Sequence, residues 1–254
     1  MKKRLSVGAA AVLGALSLCS GADIWMAGDS TMPDYPESRS PLSGWGASLG
    51  KWCKPGVVIH NRALGGKSSK SFMTEKHWEK IIDEAKPGDF VIIQFGHNDG
   101  VLGVKNRYRF TDAEKTFPLY LEAYIEEARL YGLRPVLLTQ TVYCGFGPDG
   151  KVRNFEDRSE AIGGDTYVAA CRRVAAKTGV DFVDVNAETL RRLDAMDRDE
   201  IVKLYMTLAP GESPNYPQGR KDMVHLRGAG ADFYAGLFVE LAKKRKLAIA
   251  ELFN

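Results

Sequence analysis

The sequence predicts a single α/β domain built on a parallel sheet that is covered on both faces. Three observations carry this expectation. Five short apolar runs recur along the chain, at Ile24–Ala27, Val57–Ile59, Phe90–Phe95, Pro135–Thr139 and Val180–Val185. Segments with helical spacing separate them, and no linker, composition break or internal repeat divides the 254 residues. Strands that are apolar on both faces belong inside a sheet with helices on either side. A chain of this length buries one substantial core.

Each element has its own justification. Ile24-Trp25-Met26-Ala27 is apolar throughout and stops at Gly28. A first helix is expected over Ser43–Trp52. The second strand leads into Asn61-Arg62-Ala63-Leu64-Gly65-Gly66, ending in glycines. Phe72, Trp78, Ile81 and Ile82 give Ser71–Ala85 helical periodicity, closed by Lys86-Pro87-Gly88-Asp89. Phe90–Phe95 is the clearest strand. Phe117–Tyr131 is an amphipathic helix stopped by Gly132, and Thr166–Lys177 is another. Ala187–Leu208 is expected to be helical, followed by a segment at 210–221 rich in Pro and Gly. The last helix, Ala229–Lys246, is basic at its C-terminal end, where cations complement the helix dipole.

Composition narrows the function classes. Hydrophobic residues make up 44% of the chain and charged residues 26%, ordinary globular usage that argues against disorder. The net charge is +3, all of it from Lys2, Lys3 and Arg4; beyond them 32 basic side chains face 32 acidic ones. That balance lacks the electrostatic footprint of a nucleic-acid binder, and no nucleic-acid partner is expected. Residues 1–22 read as an export signal: three basic residues, an apolar segment from Leu5 to Leu18, and small residues before a cleavage point after Ala22. The apolar segment is short for a membrane span, so no stable insertion of the mature chain is expected. Secretion or a periplasmic location follows, with a lipid anchor on Cys19 as the alternative. Removal of residues 1–22 leaves Cys53, Cys144 and Cys171, an odd number that implies at least one free thiol. Their spacing fits no metal site, and neither metal nor organic cofactor is expected.

In a doubly wound sheet the working residues sit beyond the C-terminal ends of the strands. Three of the five runs end in polar clusters: Gly28-Asp29-Ser30, Gly65-Gly66-Lys67-Ser68 and Gly96-His97-Asn98-Asp99. A serine nucleophile needs a base, a group that orients the base, and donors for the oxyanion. Of the four histidines, His60 lies in a strand and His77 on a helix, leaving His97 and His225. Asp222 stands three residues before His225, a loop spacing that lets its carboxylate reach Nδ1 and turn Nε2 outward. His225 is therefore preferred to His97. Oxyanion donors are available at the N–H groups of Ser30 and Gly66 and the side-chain amide of Asn98. Taken singly, each cluster is equally an ordinary turn.

Two other motifs fail. A phosphate-binding loop would need glycine where Asn61 stands, and the G-x-S-x-G elbow would need glycine at Met32.

Gly28-Asp29-Ser30, Gly66, Gly96-His97-Asn98-Asp99 and Asp222-x-x-His225 resemble, in order, the four blocks of the SGNH, or GDSL-type, hydrolases. Within that superfamily, Gly28-Asp29-Ser30-Thr31-Met32, Gly44-Trp45-Gly46 and Asn61 through Ser68 look like the rhamnogalacturonan acetylesterases and related carbohydrate esterases. The resemblance spans roughly residues 24–246. Thr31 replaces the leucine of the GDSL signature, and Lys67 stands where many relatives carry arginine.

The resemblance implies a three-layer α/β/α, flavodoxin-like fold with five parallel strands in the order 2-1-3-4-5. It implies Ser30 as nucleophile, His225 as general base and Asp222 as its orienting partner, with Ser30, Gly66 and Asn98 forming the oxyanion hole. Asp29 and Asp99 read as structural acceptors in their loops. The implied activity is removal of O-acetyl groups from an acetylated plant cell-wall polysaccharide, foremost the rhamnogalacturonan of pectin. Acetylated xylan or a lipid ester stands as the alternative substrate, and a catalytically silent carbohydrate-binding protein as the alternative role. The loops at 100–111, 144–163 and 209–221 are expected to wall the substrate groove, with Tyr108, Tyr143, Phe146 and Tyr216 as its aromatic residues.

Overall fold

The computed structural model describes residues 21–154 and 166–254. The export segment, except Gly21 and Ala22, lies outside the described residues, as does Cys19. So does the later part of the expected 144–163 loop.

The parallel sheet forms as the sequence predicts. Strands β1 (Ile24–Gly28), β3 (Ile59–Asn61), β4 (Phe90–Gln94), β5 (Arg134–Leu138) and β8 (Asp181–Val183) lie in the order β3-β1-β4-β5-β8. Counted along the chain, the five parallel strands thus run 2-1-3-4-5. Register is set by apolar pairs such as Met26 opposite Ile92, and Ile92 opposite Val136.

Successive strand residues point to opposite faces, and each face carries its own core. Ile24, Met26, Ile92, Val136 and Leu138 pack with Trp45 and Leu49 of α1 (Trp45–Leu49) and with Ala235 and Phe238 of α8 (Gly228–Lys244). Trp25, Ala27, Val91, Ile93 and Leu137 face the opposite layer. There Trp78 and Ile81 of α3 (His77–Glu84) pack with Phe117 and Leu121 of α4 (Thr116–Leu130) and with Val174 of α5 (Tyr167–Thr178). Fully burying each such side chain contributes about 1.5–3 kcal/mol, so the two apolar layers dominate the stability.

Two expected helices are broken. Ser71–Ala85 becomes α2 (Ser69–Thr74) followed by α3, because Lys76 adopts a left-handed conformation at φ 63°. A reciprocal box between Ser68 and Ser71 starts α2. The expected helix over Ala187–Leu208 ends much earlier, as α6 (Val185–Leu193) and α7 (Arg198–Val202). The segment that follows pairs with the chain just before α8 instead. Met206 N–H donates to the His225 carbonyl at 2.8 Å, and Leu208 exchanges hydrogen bonds with Arg220 at 2.7 and 2.9 Å. Those tertiary bonds replace the helical ones.

Two small pairings complete the fold. Strand β2 (Leu42–Ser43) runs antiparallel to β9 (Leu226–Arg227), tying the chain before α1 to the chain before α8. Strands β6 (Cys144–Phe146) and β7 (Val152–Asn154) form a hairpin inside a segment whose polar composition had suggested only loop. Cys53, Cys144 and Cys171 are all free thiols.

Candidate active site

β1 delivers Ser30. Directly after the strand, Asp29 is fully buried, and its Oδ1 accepts the N–H of Thr31 at 3.0 Å and the Thr31 hydroxyl at 2.9 Å. A carboxylate bonded two residues ahead fixes a tight turn. That turn leaves Ser30 half-exposed at the sheet's edge, between two fully buried neighbours. The Tyr35 hydroxyl donates to the Ser30 carbonyl at 2.5 Å and holds the turn from outside.

The loop before α8 delivers the histidine. Asp222 Oδ1 accepts the N–H groups of Val224 and His225, each at 3.0 Å, so the carboxylate organises the loop that carries the ring. His225 Nδ1 stands 2.8 Å from Asp222 Oδ2, and Nε2 stands 2.9 Å from Ser30 Oγ. Burial alone would raise the Asp222 pKa. The hydrogen bonds and charge of His225, with the two backbone donors, outweigh burial and hold the carboxyl well below the usual carboxylate range. Ionised Asp222 can only accept, so Nδ1 carries the proton and Nε2 presents its lone pair to the Ser30 hydroxyl. The two side chains are 195 positions apart in sequence.

The second and third strand ends meet at the same place. A Cβ built on Gly65 would lie 3.8 Å from Ser30 Cβ, which puts the glycine turn against the serine. Gly66 has φ +79°, a conformation that glycine adopts without a side-chain penalty. Asn98 Nδ2 donates one proton to the Lys67 carbonyl at 3.0 Å, leaving its second proton available. A cavity of about 440 Å³ opens over these groups, lined by Ser30, Gly66, Asn98 and His225 together with Tyr35, Arg39 and Tyr143.

All five residues singled out in the sequence therefore share one pocket or its immediate wall. Asp222 sits behind His225 rather than in the main cavity and lines a neighbouring lobe of similar volume. His97 also lines the cavity, but its Nε2 lies 2.8 Å from Thr141 Oγ1. Asp99 is fully buried; its Oδ1 lies 2.5 Å from the Ser69 hydroxyl and 2.9 Å from that of Thr111, a structural acceptor as expected. Burial pushes its pKa up to about 7, against the pull of those donors. Lys67 turns away to pair with Glu75. Of the expected aromatic residues, Tyr143 lines the main cavity and Phe146 the neighbouring lobe, whereas Tyr216 packs beside Leu42, Met206 and Leu208. Tyr108 is exposed and lines neither cavity.

Three arginines escaped the sequence reading. Arg220 donates to Asp222 Oδ2, through Nε at 2.9 Å and through Nη2. Arg109 Nη1 lies 3.2 Å from Asn98 Oδ1 and 3.4 Å from the Gly66 carbonyl, bridging two of the pocket's donor groups. Arg39 stands at the pocket wall. Only Arg220 had a local signal, two positions from Asp222. The other two reach the pocket through tertiary folding.

No cluster of three His, Cys, Asp or Glu side chains suited to a metal occurs among the described residues. No described helix is long and apolar enough to cross a membrane.

Comparison with known proteins identifies the family and the fold. Residues 26–233 match the model of the GDSL-like Lipase/Acylhydrolase family. A rhamnogalacturonan acetylesterase of Bacillus subtilis is 32% identical over 217 residues, covering 85% of this chain and 88% of the relative. A rhamnogalacturonan acetylesterase of Emericella nidulans is 29% identical over 248 residues, covering 90% of this chain and 89% of its own. Among solved structures, a Bacillus subtilis protein superposes with a TM-score of 0.71 at 24% identity, covering 90% of this chain and 58% of its own. An acetylxylan esterase from Geobacillus stearothermophilus superposes at 0.58 with 17% identity, covering 87% and 94% respectively. At those identities the structural likeness speaks for the fold.

Proposed function

The chain belongs to the GDSL-like lipase/acylhydrolase family and is a carboxylic ester hydrolase, and from that premise we propose that it removes O-acetyl groups from rhamnogalacturonan through an acetyl-enzyme on Ser30. One observation carries the chemistry: Ser30 Oγ, His225 and Asp222 stand in a relay of 2.9 and 2.8 Å, with Ser30 and His225 lining an open pocket. The substrate class is supported by the two acetylesterase relatives, whose similarity runs over most of both chains.

The reaction follows from the geometry. Ser30 Oγ attacks the acetyl carbonyl carbon while its proton passes to His225 Nε2. Ionised Asp222 stabilises the imidazolium that forms. The carbonyl oxygen becomes an oxyanion, held by the N–H groups of Ser30 and Gly66 and the free proton of Asn98 Nδ2. Collapse breaks the bond to the sugar oxygen, which leaves as an alcohol with the proton from His225. A water molecule then gives His225 a proton, attacks the acetyl-serine and releases acetate, and Ser30 regains its proton. Such a polysaccharide is met outside the cytoplasm, which agrees with the export signal read over residues 1–22.

Acetate release from acetylated pectins and acetylated xylans, with Ser30→Ala as the blank, tests the proposal. Rapid release from rhamnogalacturonan that vanishes in the variant is expected. Equal activity in Ser30→Ala, or release from xylan alone, would refute it.

A further inference from the structure

Arg39 occupies a place in this pocket that the acyl transfer does not use. It ends a short turn, Glu37–Arg39, and its guanidinium lies over the Tyr35 ring, 4.9 Å from the centroid. Tyr35 is itself bonded to the Ser30 carbonyl. The backbone around the arginine is held as well. Tyr216 donates its hydroxyl proton to the Arg39 carbonyl at 3.2 Å, and Asn215 Nδ2 donates to the carbonyls of Glu37 and Ser40 at 3.1 and 2.9 Å. The backbone that carries the cation and the aromatic face beneath it are thus held relative to the nucleophile.

It is also unspent. Lys67, Arg220 and Arg227 each pair with a carboxylate, but no carboxylate lies in ion-pair range of Arg39 among the described residues. The neighbouring lobe shares Tyr143 and Val224 with the main cavity and is lined by Lys221, exposed and equally without an acidic partner among the described residues. Among the described residues Asp222 is the single acid in either wall, and His225 and Arg220 already hold it. Among the described residues, the two adjoining cavities therefore present the positive charges of Arg39 and Lys221 and no available negative one.

We propose that Arg39 is a specificity-determining residue that binds the carboxylate of a uronic acid in the substrate, with Lys221 receiving the carboxylate of a second uronate along the same chain. This rests on the acetylesterase reading and sharpens it, since a neutral xylan backbone offers these cations nothing. A planar guanidinium matches a carboxylate with two parallel N–H donors, and stacking on Tyr35 lowers the entropy lost on binding. The carboxylate takes no part in bond breaking, so the gain lies in KM rather than kcat.

The test compares kcat/KM for acetate release from acetylated galacturonate oligosaccharides carrying free carboxylates with the same oligosaccharides after methyl esterification. The wild-type protein is expected to favour the free acid by about tenfold, mostly in KM, and less so as salt rises. Arg39→Gln brings the acid-to-ester ratio towards one, and Arg39→Lys keeps part of it. Because the readout is a ratio within each variant, a general loss from poor folding divides out. A wild-type ratio near one, or an Arg39→Gln ratio equal to that of the wild type, overturns the assignment while leaving the acetylesterase reading intact. Release from acetylated xylan but from neither galacturonate substrate overturns both.

Discussion

Asn98→Ala separates chemistry from folding. In the wild type the Asn98 amide makes two contacts, Nδ2 to the Lys67 carbonyl at 3.0 Å and Oδ1 to Arg109 at 3.2 Å. Each net hydrogen bond is worth about 0.5–1.5 kcal/mol, so truncation costs roughly 1–3 kcal/mol of stability in this half-buried site. A domain of this size carries about 5–15 kcal/mol, and the variant stays folded at 25 °C. Loss of one oxyanion donor lowers kcat by roughly 10²–10³, equivalent to about 3–4 kcal/mol, because the charge that it stabilises exists only in the transition state. KM should therefore change little, and kcat and kcat/KM should fall together. Steady-state hydrolysis of an activated acetyl ester supplies both constants, and circular dichroism melts confirm that the variant is folded at the assay temperature. A folded Asn98→Ala protein with undiminished kcat would refute the oxyanion assignment, and so would a loss confined to KM.

Two further predictions concern the carboxylates of Asp222 and Asp99. Asp222→Asn keeps the size of the side chain but lets its amide donate to Nδ1, which puts the proton on Nε2 and leaves nothing to accept from Ser30. A loss in kcat of roughly 10⁴ is expected by analogy with the serine-protease relay, with near-normal circular dichroism, and a loss below tenfold would contradict the relay. Asp99, with its pKa raised to about 7 by burial, binds a proton in the folded state that the unfolded chain releases near pH 4. Its contribution to stability is thus fully present below pH 4 and is lost as the pH rises towards 7. Thermal melts across that window should show a shallower fall for Asp99→Asn than for the wild type, and identical slopes would show that Asp99 titrates normally.

Much of the fold was legible because a doubly wound sheet writes itself into local pattern. Ile24–Gly28 and Phe90–Gln94 are buried on both faces, so their sequences are apolar at every position but the ends. The site was legible for a related reason: Gly28-Asp29-Ser30, Gly66 and Asn98 each stand just beyond a strand, where side chains are displayed, and Asp222 is local to His225. One break in the helical pattern is local, at the left-handed Lys76, and the other falls where long-range pairing overrides it. Residues 204–208 have apolar spacing suited to a helix, yet they pair with the chain around Arg220 and His225. That pairing builds the platform on which the histidine loop stands.

The sequence alone determined the layered class through short-range periodicity, while the family resemblance implied the strand order and compact motifs named the five candidate site residues. Tertiary structure alone decided that an imidazole and a hydroxyl 195 positions apart stand 2.9 Å from each other. It also decided that Arg220 shares the Asp222 carboxylate, that Arg109 bridges Asn98 and Gly66, and that Arg39 lines the cavity over Ser30 with no carboxylate in ion-pair range among the described residues. The physical reason is that a side chain's partner is set by where the folded backbone brings its polar atoms to rest, which local spacing at most hints at.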